Sequence, residues 1–430
     1  MTLTWRAVAL VAAGVPVLLL LPSTGTVLVW GLVCLALCVL DALLAASPRQ
    51  VAVRRDVPQS VRLTEQATST LTLTNVGSRR LRGLVRDAWP PSASAVQDRH
   101  RVDVPAGDGV RVRTVLRPTR RGDAHADRVT VRASGPLGLA GRQASLTVPG
   151  RLRVLPEFAS RRHLPSRLAR LREMDGRAAV QVRGPGTEFD SLREYVIGDD
   201  VRAIDWRATA RRGDVVVRTW RPERDRRVLI VLDTGRTSAV RVLDAPRLDA
   251  SIEAALLLSA LATRAGDRVE LLAYDRRARA RVAGTAGPRL MPALADALAT
   301  TAPELVESDW PGVVTQVRSR LSQRALVVLL TSLDAAAVER GLLGVVGQLT
   351  SRHQVVLASV ADPETAALRA DGGDAHTVYD AAAAERAELE REAVAVRLRQ
   401  RGVEVLDALP DDLAPRLADT YLALKAAGRL

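Results

Sequence analysis

Residues 228–238 read VLIVLDTGRTS: five consecutive apolar residues, then an acid, then small and hydroxyl-bearing residues. A short, fully apolar run bounded by turn residues predicts a strand that is buried on both faces of a sheet. A second run, residues 325–330 (ALVVLL), is followed by Thr331-Ser332-Leu333-Asp334. Further strand candidates alternate with Ala/Leu-rich helical patterns, at residues 269–274, 355–360 and 403–406. This alternation predicts a mainly parallel, doubly wound α/β sheet over residues 228–430.

The loops that follow the two apolar strands form the candidate binding site. Ligands of a parallel sheet bind beyond the carboxyl ends of its strands, where Asp233, Thr237 and Asp334 are expected to meet. Their oxygen atoms are the ligands that hard cations such as Mg²⁺ prefer. Thr285 or Ser308 would add a hydroxyl, and spacing does not decide between them. Mg²⁺ or another divalent cation is the candidate cofactor. The alternative to a metal site is that the first loop caps the helix that follows it.

Residues 186–211, GTEFDSLREYVIGDDVRAIDWRATAR, are too charged for a core strand and too aromatic for a solvated linker. We call them the charged segment. Its acids alternate with arginines, and Trp206 is expected to be the apolar anchor of that network. Ion-pair networks are commonly structural, so a buttress between two domains is the first interpretation and a partner-binding surface the second. The candidate residues are Glu188, Phe189, Arg193, Tyr195, Asp199, Asp200, Arg202, Asp205, Trp206 and Arg207.

Residues 49–156 alternate between apolar and polar residues in short runs, such as TLTLT at 70–74 and VRVRTV at 110–115. Turn residues separate these runs. Period-two patterning with regular turns predicts an antiparallel, immunoglobulin-like β-sandwich. Residues 157–227 are expected to be an Arg-rich linker, broken at Gly184-Pro185-Gly186, together with the charged segment.

Residues 1–48 contain two apolar segments, Ala7–Leu21 and Val27–Leu44, which a short uncharged turn separates. This arrangement predicts a transmembrane helical hairpin. Arg6 and Arg49 flank the hairpin, so the positive-inside rule places both ends and the soluble domains in the cytoplasm. A cleaved signal peptide is the alternative, but the second apolar segment and the lack of an A-x-A site argue against it. We therefore predict a two-pass protein of the inner or plasma membrane.

The basic residues are almost all arginine, since Lys425 is the single lysine among 62 Arg and Lys residues. A Walker A loop and a Schiff-base lysine are therefore not expected. Residues 49–183 carry 27 Arg and 11 acids, a net +16, whereas residues 184–430 carry 34 basic and 36 acidic residues, a net −2. Few aromatics accompany those arginines, so membrane lipids are a better partner than nucleic acid. A generally Arg-rich composition is the alternative. Two cysteines and five histidines without ligand spacing do not support a disulfide framework or a zinc site.

Two resemblances to known families follow from these motifs. Residues 228–430 resemble a von Willebrand factor A-type domain, whose metal-binding loop reads D-x-S-x-S; here Gly235 replaces the middle serine and Thr237 the last. The charged segment resembles domain of unknown function 58 (DUF58), and the resemblance extends over nearly the whole chain. It rests on Gly186-Thr187-Glu188-Phe189, Leu192-Arg193-Glu194-Tyr195, Gly198-Asp199-Asp200, Arg202, residues 204–211, Glu223-Arg224, Arg120-Arg121-Gly122 and Pro136-Leu137-Gly138-Leu139.

The DUF58 resemblance implies a MoxR-type AAA+ ATPase as partner, in chaperone-like assembly or envelope-related work. With the membrane segment and the incomplete metal loop, it predicts a membrane-anchored, non-enzymatic protein-interaction module with a degenerate metal-ion-dependent adhesion site. A divalent-metal-dependent hydrolase and an anionic-lipid- or polyanion-binding membrane protein are the alternatives. No nucleic acid is expected as a partner.

Overall fold

The computed structural model describes residues 2–181, 188–221, 226–370 and 375–430. The chain divides into two compact units, Met1–Glu157 and Phe158–Leu430, which we call the first and second units. The first contains apolar helices and two antiparallel sheets, and the second contains a largely parallel sheet together with the charged segment. The chain is therefore mixed α/β, as expected. Gly184-Pro185-Gly186, Thr187 and Glu223-Arg224 lie outside the described residues.

The amino-terminal strand β1 (Thr2–Leu3) is followed by helices α1 (Trp5–Ala12), α2 (Gly14–Leu20) and α3 (Thr24–Leu44). Gly14 allows α2 to approach α3, because a Cβ at this position would lie 2.2 Å from Nε1 of Trp30. The 21 residues of α3 extend about 32 Å at the usual helical rise, close to the thickness of a bilayer core. Among the described residues, one helix, Thr24–Gln50, is long and apolar enough to cross a membrane, and Trp5–Leu20 is a shorter apolar helix.

Two antiparallel sheets form the rest of the first unit. Their strands are β2 (Val51–Asp56), β3 (Ser60–Arg62), β4 (Ala67–Asn75), β5 (Leu81–Asp87), β6 (Ala95–Val96), β7 (Arg99–Val104), β8 (Gly109–Leu116), β9 (Gly122–Ser134) and β10 (Ala140–Leu155). One sheet has the order β1-β10-β9-β5-β7, with β3 pairing parallel to β10, and the other has the order β2-β4-β8-β6. Alternate residues of β4 are buried. Leu71 and Leu73 of β4 share a core cluster with Val85 and Val131 of the first sheet, so the two sheets pack face to face.

A buried ion pair links these two sheets. Arg55 of β2 donates to Asp87 of β5 at 2.7 Å, and both side chains are fully buried. Asp87 also accepts hydrogen bonds from Ser69 Oγ at 2.7 Å and from Trp89 Nε1 at 3.0 Å. A buried pair of this kind adds little net stability when it is intact, but leaving one partner alone costs several kcal/mol. The pair therefore fixes how the two sheets align.

The charged segment and the strand that follows it form a small hairpin of the second unit. Helix α4 (Leu164–Gln181) precedes the hairpin, and its two strands, β11 (Glu188–Glu194) of the charged segment and β12 (Val216–Arg221) beyond it, pair antiparallel. Between the strands lie a 3-10 turn, Val201–Ala203, and helix α5 (Trp206–Arg212). Gly213 ends α5 in the left-handed region, with a φ of 87°.

The main sheet of the second unit is formed by β13 (Arg227–Asp233), β16 (Arg268–Tyr274), β17 (Ala278–Val282), β18 (Leu326–Leu330), β19 (Gln354–Val360) and β20 (Val403–Ala408), while β14 (Arg241–Val242) and β15 (Ala245–Pro246) form a separate small hairpin. The strand order is β17-β16-β13-β18-β19-β20, and all neighbours are parallel except β17, an antiparallel edge strand. All five residues of β18 and all seven of β19 are buried.

Helices cover both faces of this sheet, and each face has its own core cluster. The helices are α6 (Arg247–Arg264), α7 (Leu290–Ala299), α8 (Trp310–Arg320), α9 (Ala335–Ala337), α10 (Leu343–Val345), α11 (Gly347–Thr350), α12 (Pro363–Ala370), α13 (Ala375–Gln400) and α14 (Pro410–Ala426). A π-helical turn, Val338–Leu342, separates α9 from α10. Wide helical turns of this type are rare and occur frequently at functional sites.

Candidate functional site

The candidate site lies at the carboxyl edge of the main sheet. Strands β13 and β18 are parallel neighbours, so the loops that follow Asp233 and Leu330 leave the sheet side by side. A third loop, residues 300–309 between α7 and α8, reaches the same place: Arg236 N–H donates to the carbonyl oxygen of Val306 at 2.8 Å. Three loops that are distant in sequence therefore meet around Asp233.

Asp233 connects these loops through its carboxylate. One oxygen accepts hydrogen bonds from Ser308 Oγ at 2.5 Å and from Gly235 N–H at 2.8 Å. The other accepts from Thr331 Oγ1 at 2.6 Å and from Thr237 Oγ1 at 3.4 Å. Burial raises the pKa of Asp233, although these hydrogen bonds oppose the rise. The carboxylate is thus the common acceptor for donors from all three loops.

A cavity of about 160 Å³ opens beside this carboxylate. Small-molecule sites in proteins usually measure ~300–1,000 Å³, so this cavity suits one side chain or a few water molecules. Two arginines, Arg236 and Arg340, line it. Arg236 pairs with Glu307 at 2.5 Å, whereas Arg340 donates to the carbonyl oxygen of Ala336 at 3.0 Å. The other lining residues include Thr237, Ser308, Trp310, Thr331, Ser332 and Gly341.

Gly235 has a steric role in this site. Its φ of −76° is open to any residue, so its backbone does not require glycine. A Cβ at this position would lie 2.2 Å from Ser308 Oγ and 2.9 Å from the carbonyl oxygen of Val306. The glycine therefore leaves the space that the Ser308 hydroxyl fills beside Asp233.

The sequence-predicted site residues are only partly brought together. Thr237 reaches Asp233, but the Asp334 carboxylate accepts from Ala337 N–H at 2.9 Å as the cap of α9 and does not line the cavity. Of the two candidate hydroxyls, Ser308 reaches Asp233. Thr285 follows the antiparallel strand β17, which places it at the opposite edge of the sheet. Sequence reasoning missed the contact of Thr331, although its loop was recognised.

These donors do not fit a divalent cation held by this chain alone. The cavity offers one buried carboxylate, Asp233, and four hydroxyls, and its other carboxylate, Glu307, is exposed and paired with Arg236. Hard divalent cations are usually held by several charged or carbonyl oxygens in addition to water. Across the part of the chain that the structure describes, no cluster of three or more His, Cys, Asp or Glu side chains could hold a metal ion.

A second buried acid, Asp275, holds the loop that follows β13. Asp275, just beyond β16, accepts from Thr234 Oγ1 at 3.1 Å and from Arg279 Nε at 2.5 Å. Burial alone would raise the pKa of Asp275, but the hydrogen bonds from Arg279 and from two backbone N–H groups lower it overall. Asp275 therefore remains an anion that holds Thr234, next to Asp233, in place. The sequence signal for this residue is an acid that directly follows a buried strand.

In the charged segment, most predicted ionic residues act locally. Arg193 pairs with Asp199 at 2.6 Å. Asp205 caps α5 through the N–H groups of Arg207 and Ala208 and pairs with Arg218 at 2.8 Å. The hydrogen bonds that α5 and Arg218 donate lower the pKa of Asp205.

The remaining predicted residues of this segment lie as follows. Asp200 accepts from the N–H of Arg202 at 2.9 Å, and Tyr195 N–H donates to the carbonyl oxygen of Val215. Glu188 and Phe189 lie in β11. Trp206 was expected to be an apolar anchor, and this expectation is wrong: the side chain is 68% exposed, and Ile197 in the preceding turn is 96% exposed. The ionic groups fold the segment on itself and leave Trp206 and Ile197 in solvent.

Comparisons with known proteins found relatives that match part of this chain. Uncharacterized proteins of Mycobacterium tuberculosis (Rv1480) and Mycobacterium bovis (Mb1516) are each 28% identical over 196 residues, which is 45% of this chain and 60% of theirs. The chain thus spans about three fifths of the length of these curated relatives.

Among solved structures, the CARDB domain of the PF1109 protein from Pyrococcus furiosus is 12% identical, covers 24% of this chain and 87% of that domain, and has a TM-score of 0.20. A beta-glucosidase from Listeria innocua is 15% identical, covers 24% of this chain and 16% of that enzyme, and has a TM-score of 0.16. Likenesses this weak say nothing about the fold. The match that identifies the chain covers residues 191–403, including most of the charged segment and of the main sheet. The chain belongs to the family described as Protein of unknown function DUF58.

Proposed function

We propose that this protein is a membrane-anchored, non-enzymatic protein-interaction module that acts with a MoxR-type AAA+ ATPase. The observation that carries the proposal is the small cavity at the carboxyl edge of the main sheet, where Asp233 holds three loops together. A cavity of about 160 Å³ admits one side chain of a partner. Among the described residues its lining includes no histidine, cysteine or lysine, and its two carboxylates are engaged, Asp233 with four donors and Glu307 with Arg236.

The second unit is proposed to be a von Willebrand A-like domain. The support is a largely parallel sheet with helices on both faces and a site at the end of the central strand β13. The site is degenerate because Gly235 stands at the middle serine position and Asp334 caps a helix instead of joining Asp233. We propose that recognition here is direct, without a metal ion between the partner and the protein.

The cavity favours a partner that presents an acidic side chain. Arg340 and the ion pair between Arg236 and Glu307 line it, and the carboxylate of the buried Asp233 already accepts four hydrogen bonds. Arginines near a binding site attract carboxylates and exclude other cations, which adds specificity and speeds association. Arg340 also lies in the π-helical turn, which moves this part of the helix out of the ordinary α-helical position.

The charged segment is proposed to be a second contact surface for the partner, in place of a buttress between domains. Ile197 and Trp206 are exposed, and exposed aromatic residues beside arginines are typical of binding hot spots. The ion pairs of Arg193 and Asp205 give this surface a fixed shape before any partner binds.

Two membrane passes with the soluble units in the cytoplasm are proposed for the amino-terminal helices. Strand β1, before α1, pairs with β10, and the chain after α3 enters β2 of the same unit. This connection supports an arrangement in which both ends of the helical region emerge on the same side of a membrane. The contact of Gly14 with Trp30 supports close packing of α2 against α3. Arg6 and Arg49 at the two ends favour the cytoplasmic side.

Co-purification of the full chain from detergent-solubilised membranes, with and without ATP, tests this function. We expect a AAA+ ATPase to be recovered with the wild type and with Arg289→Ala, an exposed arginine beside the other edge of the sheet. Recovery should fall at least tenfold for Arg340→Ala. Failure to recover any AAA+ ATPase with the wild type would overturn the proposed partnership, and normal recovery with Arg340→Ala would overturn the role of the cavity.

A further inference from the structure

A buried acid at the end of helix α3 joins this helix to one end of the sheets in the first unit. Asp41, in the last helical turn of α3, is fully buried and accepts three backbone hydrogen bonds. The donors are the N–H groups of Leu137 and Leu139 at 2.7 Å, in the turn between β9 and β10, and of Ala140 at 2.8 Å, at the start of β10. Gly135 is needed there, since a Cβ would lie 2.2 Å from the carbonyl oxygen of Asp41. The turn is therefore fixed alongside the end of the apolar helix.

The beginning of the helical region is fastened to the same turn. Thr4, just before α1, donates its hydroxyl to the carbonyl oxygen of Gly138 at 2.6 Å, and its N–H donates to the carbonyl oxygen of Leu139 at 3.0 Å. Gly138 has a φ of 69°, and the Arg6 guanidinium lies beside it, 2.9 Å from where a Cβ would stand. Both ends of the helical region are thus hydrogen-bonded to the β9–β10 turn, which lies where the helices enter the unit.

A second loop, residues 76–80, lies at the same end. Val76 N–H donates to the carbonyl oxygen of Gln50 at 3.0 Å, and the Arg79 guanidinium donates to the carbonyl oxygen of Leu43 at the end of α3. Residues 105–108 join this end through Gly107, whose N–H donates to the carbonyl oxygen of Asn75 at 2.9 Å. We call the surface formed by residues 2–6, 47–50, 76–80, 105–108 and 134–142 the membrane-proximal face.

The composition of this face is unusual for an exposed surface. It holds Trp5, Val76 and Leu137, which are 74%, 67% and 48% exposed. In the loops at the other end of the sheets, which follow β2, β3 and β5, Val57, Leu63 and Trp89 are half-buried. It also carries five arginines and one acid, Asp108. The arginines are Arg6, Arg49, Arg79, Arg80 and Arg142. Exposed tryptophan and aliphatic residues mixed with arginine are typical of segments that lie in the headgroup layer of a bilayer.

We propose that the membrane-proximal face rests in the headgroup layer of a bilayer that contains anionic lipids. Trp5, Val76 and Leu137 reach the boundary with the acyl chains, and the arginines contact lipid phosphates. Continuity with α3 favours lipid over any other occupant, because the bonds of Asp41 and Thr4 hold the face where a membrane-spanning α3 would enter the bilayer. The inference rests on the membrane anchoring in the proposed function, and adds to it the surface that touches lipid.

Site-directed spin labelling in vesicles tests this placement. In a full-length background with Cys34→Ala and Cys38→Ala, single cysteines replace Val76 or Leu137, and the protein is reconstituted in phosphatidylcholine with one quarter phosphatidylglycerol. The matched water control is Thr119, exposed just before β9. The 13 residues of β9 put it ~40 Å from the β9–β10 turn. The anchoring control is Leu35 of α3, which is exposed in the isolated chain.

We expect labels at positions 76 and 137 to be at least fivefold less accessible to a water-soluble nickel relaxant than the label at 119, and the label at 35 to be accessible mainly to oxygen. If position 35 lies in hydrocarbon but 76 and 137 match 119, the lipid contact is overturned while anchoring stands. If position 35 is open to nickel, the anchoring itself fails. In pure phosphatidylcholine the nickel accessibility of 76 should rise at least twofold, and equal values would overturn the role of anionic headgroups.

Discussion

Replacing Gly235 by serine restores the middle residue of the D-x-S-x-S loop, and sequence comparison alone would expect a better metal site from it. The structure predicts the opposite. A Cβ at position 235 would lie 2.2 Å from Ser308 Oγ, 2.9 Å from the carbonyl oxygen of Val306 and 3.1 Å from the nearer Asp233 oxygen. The Ser308 hydroxyl must leave, and the backbone at Val306 must shift.

The cost follows from these two changes. Losing the Ser308–Asp233 hydrogen bond, which involves a charged group, costs about 1.5–3 kcal/mol. Forcing an extra side chain into a packed site adds about 1–3 kcal/mol. Together we expect a loss of roughly 4 kcal/mol, or a fall of roughly 10 °C in the melting temperature of the second unit. The control is Gly344→Ser, at an exposed helical glycine where an added Cβ would meet no atom within 4 Å. This control should change stability by less than about 0.5 kcal/mol.

Thermal unfolding of the purified full chain in detergent measures the loss of stability. The same measurement in millimolar Mg²⁺ shows whether the metal stabilises either protein. Ser308→Ala should recover part of the loss when combined with Gly235→Ser, because it removes the atom that collides; a double-mutant cycle quantifies this coupling. Mg²⁺ should stabilise neither the wild type nor Gly235→Ser. A Gly235→Ser variant that is as stable as the wild type and gains stability in Mg²⁺ would refute this account of the cavity.

Three further predictions concern other buried or paired groups. Asp41→Asn should speed hydrogen exchange of the three turn amides that it holds by about a hundredfold, since it weakens bonds to a charged acceptor; unchanged protection would contradict their role. Burial, with a smaller effect of Arg352, lowers the pKa of His353, so the unfolded chain binds protons more readily and stability should fall as the pH drops below about 6.5; His353→Leu should flatten that slope in denaturant titrations. The hydrogen bond from Arg153, with a second arginine, lowers the pKa of Asp123 to about 2. Its stabilisation is therefore present above pH ~3.8 and is lost as the pH falls towards 2. After allowance for solvent screening, Asp123→Asn should cost about 1 kcal/mol at pH 7 and almost nothing at pH 2.

The sequence predicted the buried strands of the second unit well, because their signal is local. Five apolar residues in a row placed β13 within one residue at each end, and ALVVLL did the same for β18. The edge strand β17 and the hairpin strand β11 were missed, since ARARV and EFDSLRE carry arginines and acids where a strand pattern expects apolar residues. Their pairing depends on neighbours that local patterns do not reveal.

Sequence reasoning identified the site residues that lie close together in the chain, but it did not identify the contacts between distant residues. Asp233 and Thr237 are four residues apart, and both were identified. Ser308 is 75 residues from Asp233, and its hydroxyl has no distinguishing pattern, so it stayed one of two candidates. A glycine at position 235 indicates that another group fills the space that the middle serine of the D-x-S-x-S loop would take. Asp334 was assigned from its strand end, but a carboxylate three residues before a free helical N–H is an equally good cap.

The most direct test of the proposed function is site-specific photo-crosslinking in native membranes. A photoreactive amino acid replaces Trp206 in the charged segment, Arg340 at the cavity, or Arg289 as the exposed control beside the other edge of the sheet. The account predicts that probes at 206 and 340 cross-link to a AAA+ ATPase, in a yield that depends on ATP, and that the probe at 289 does not. No AAA+ ATPase at either 206 or 340, or equal yields at all three positions, would contradict it.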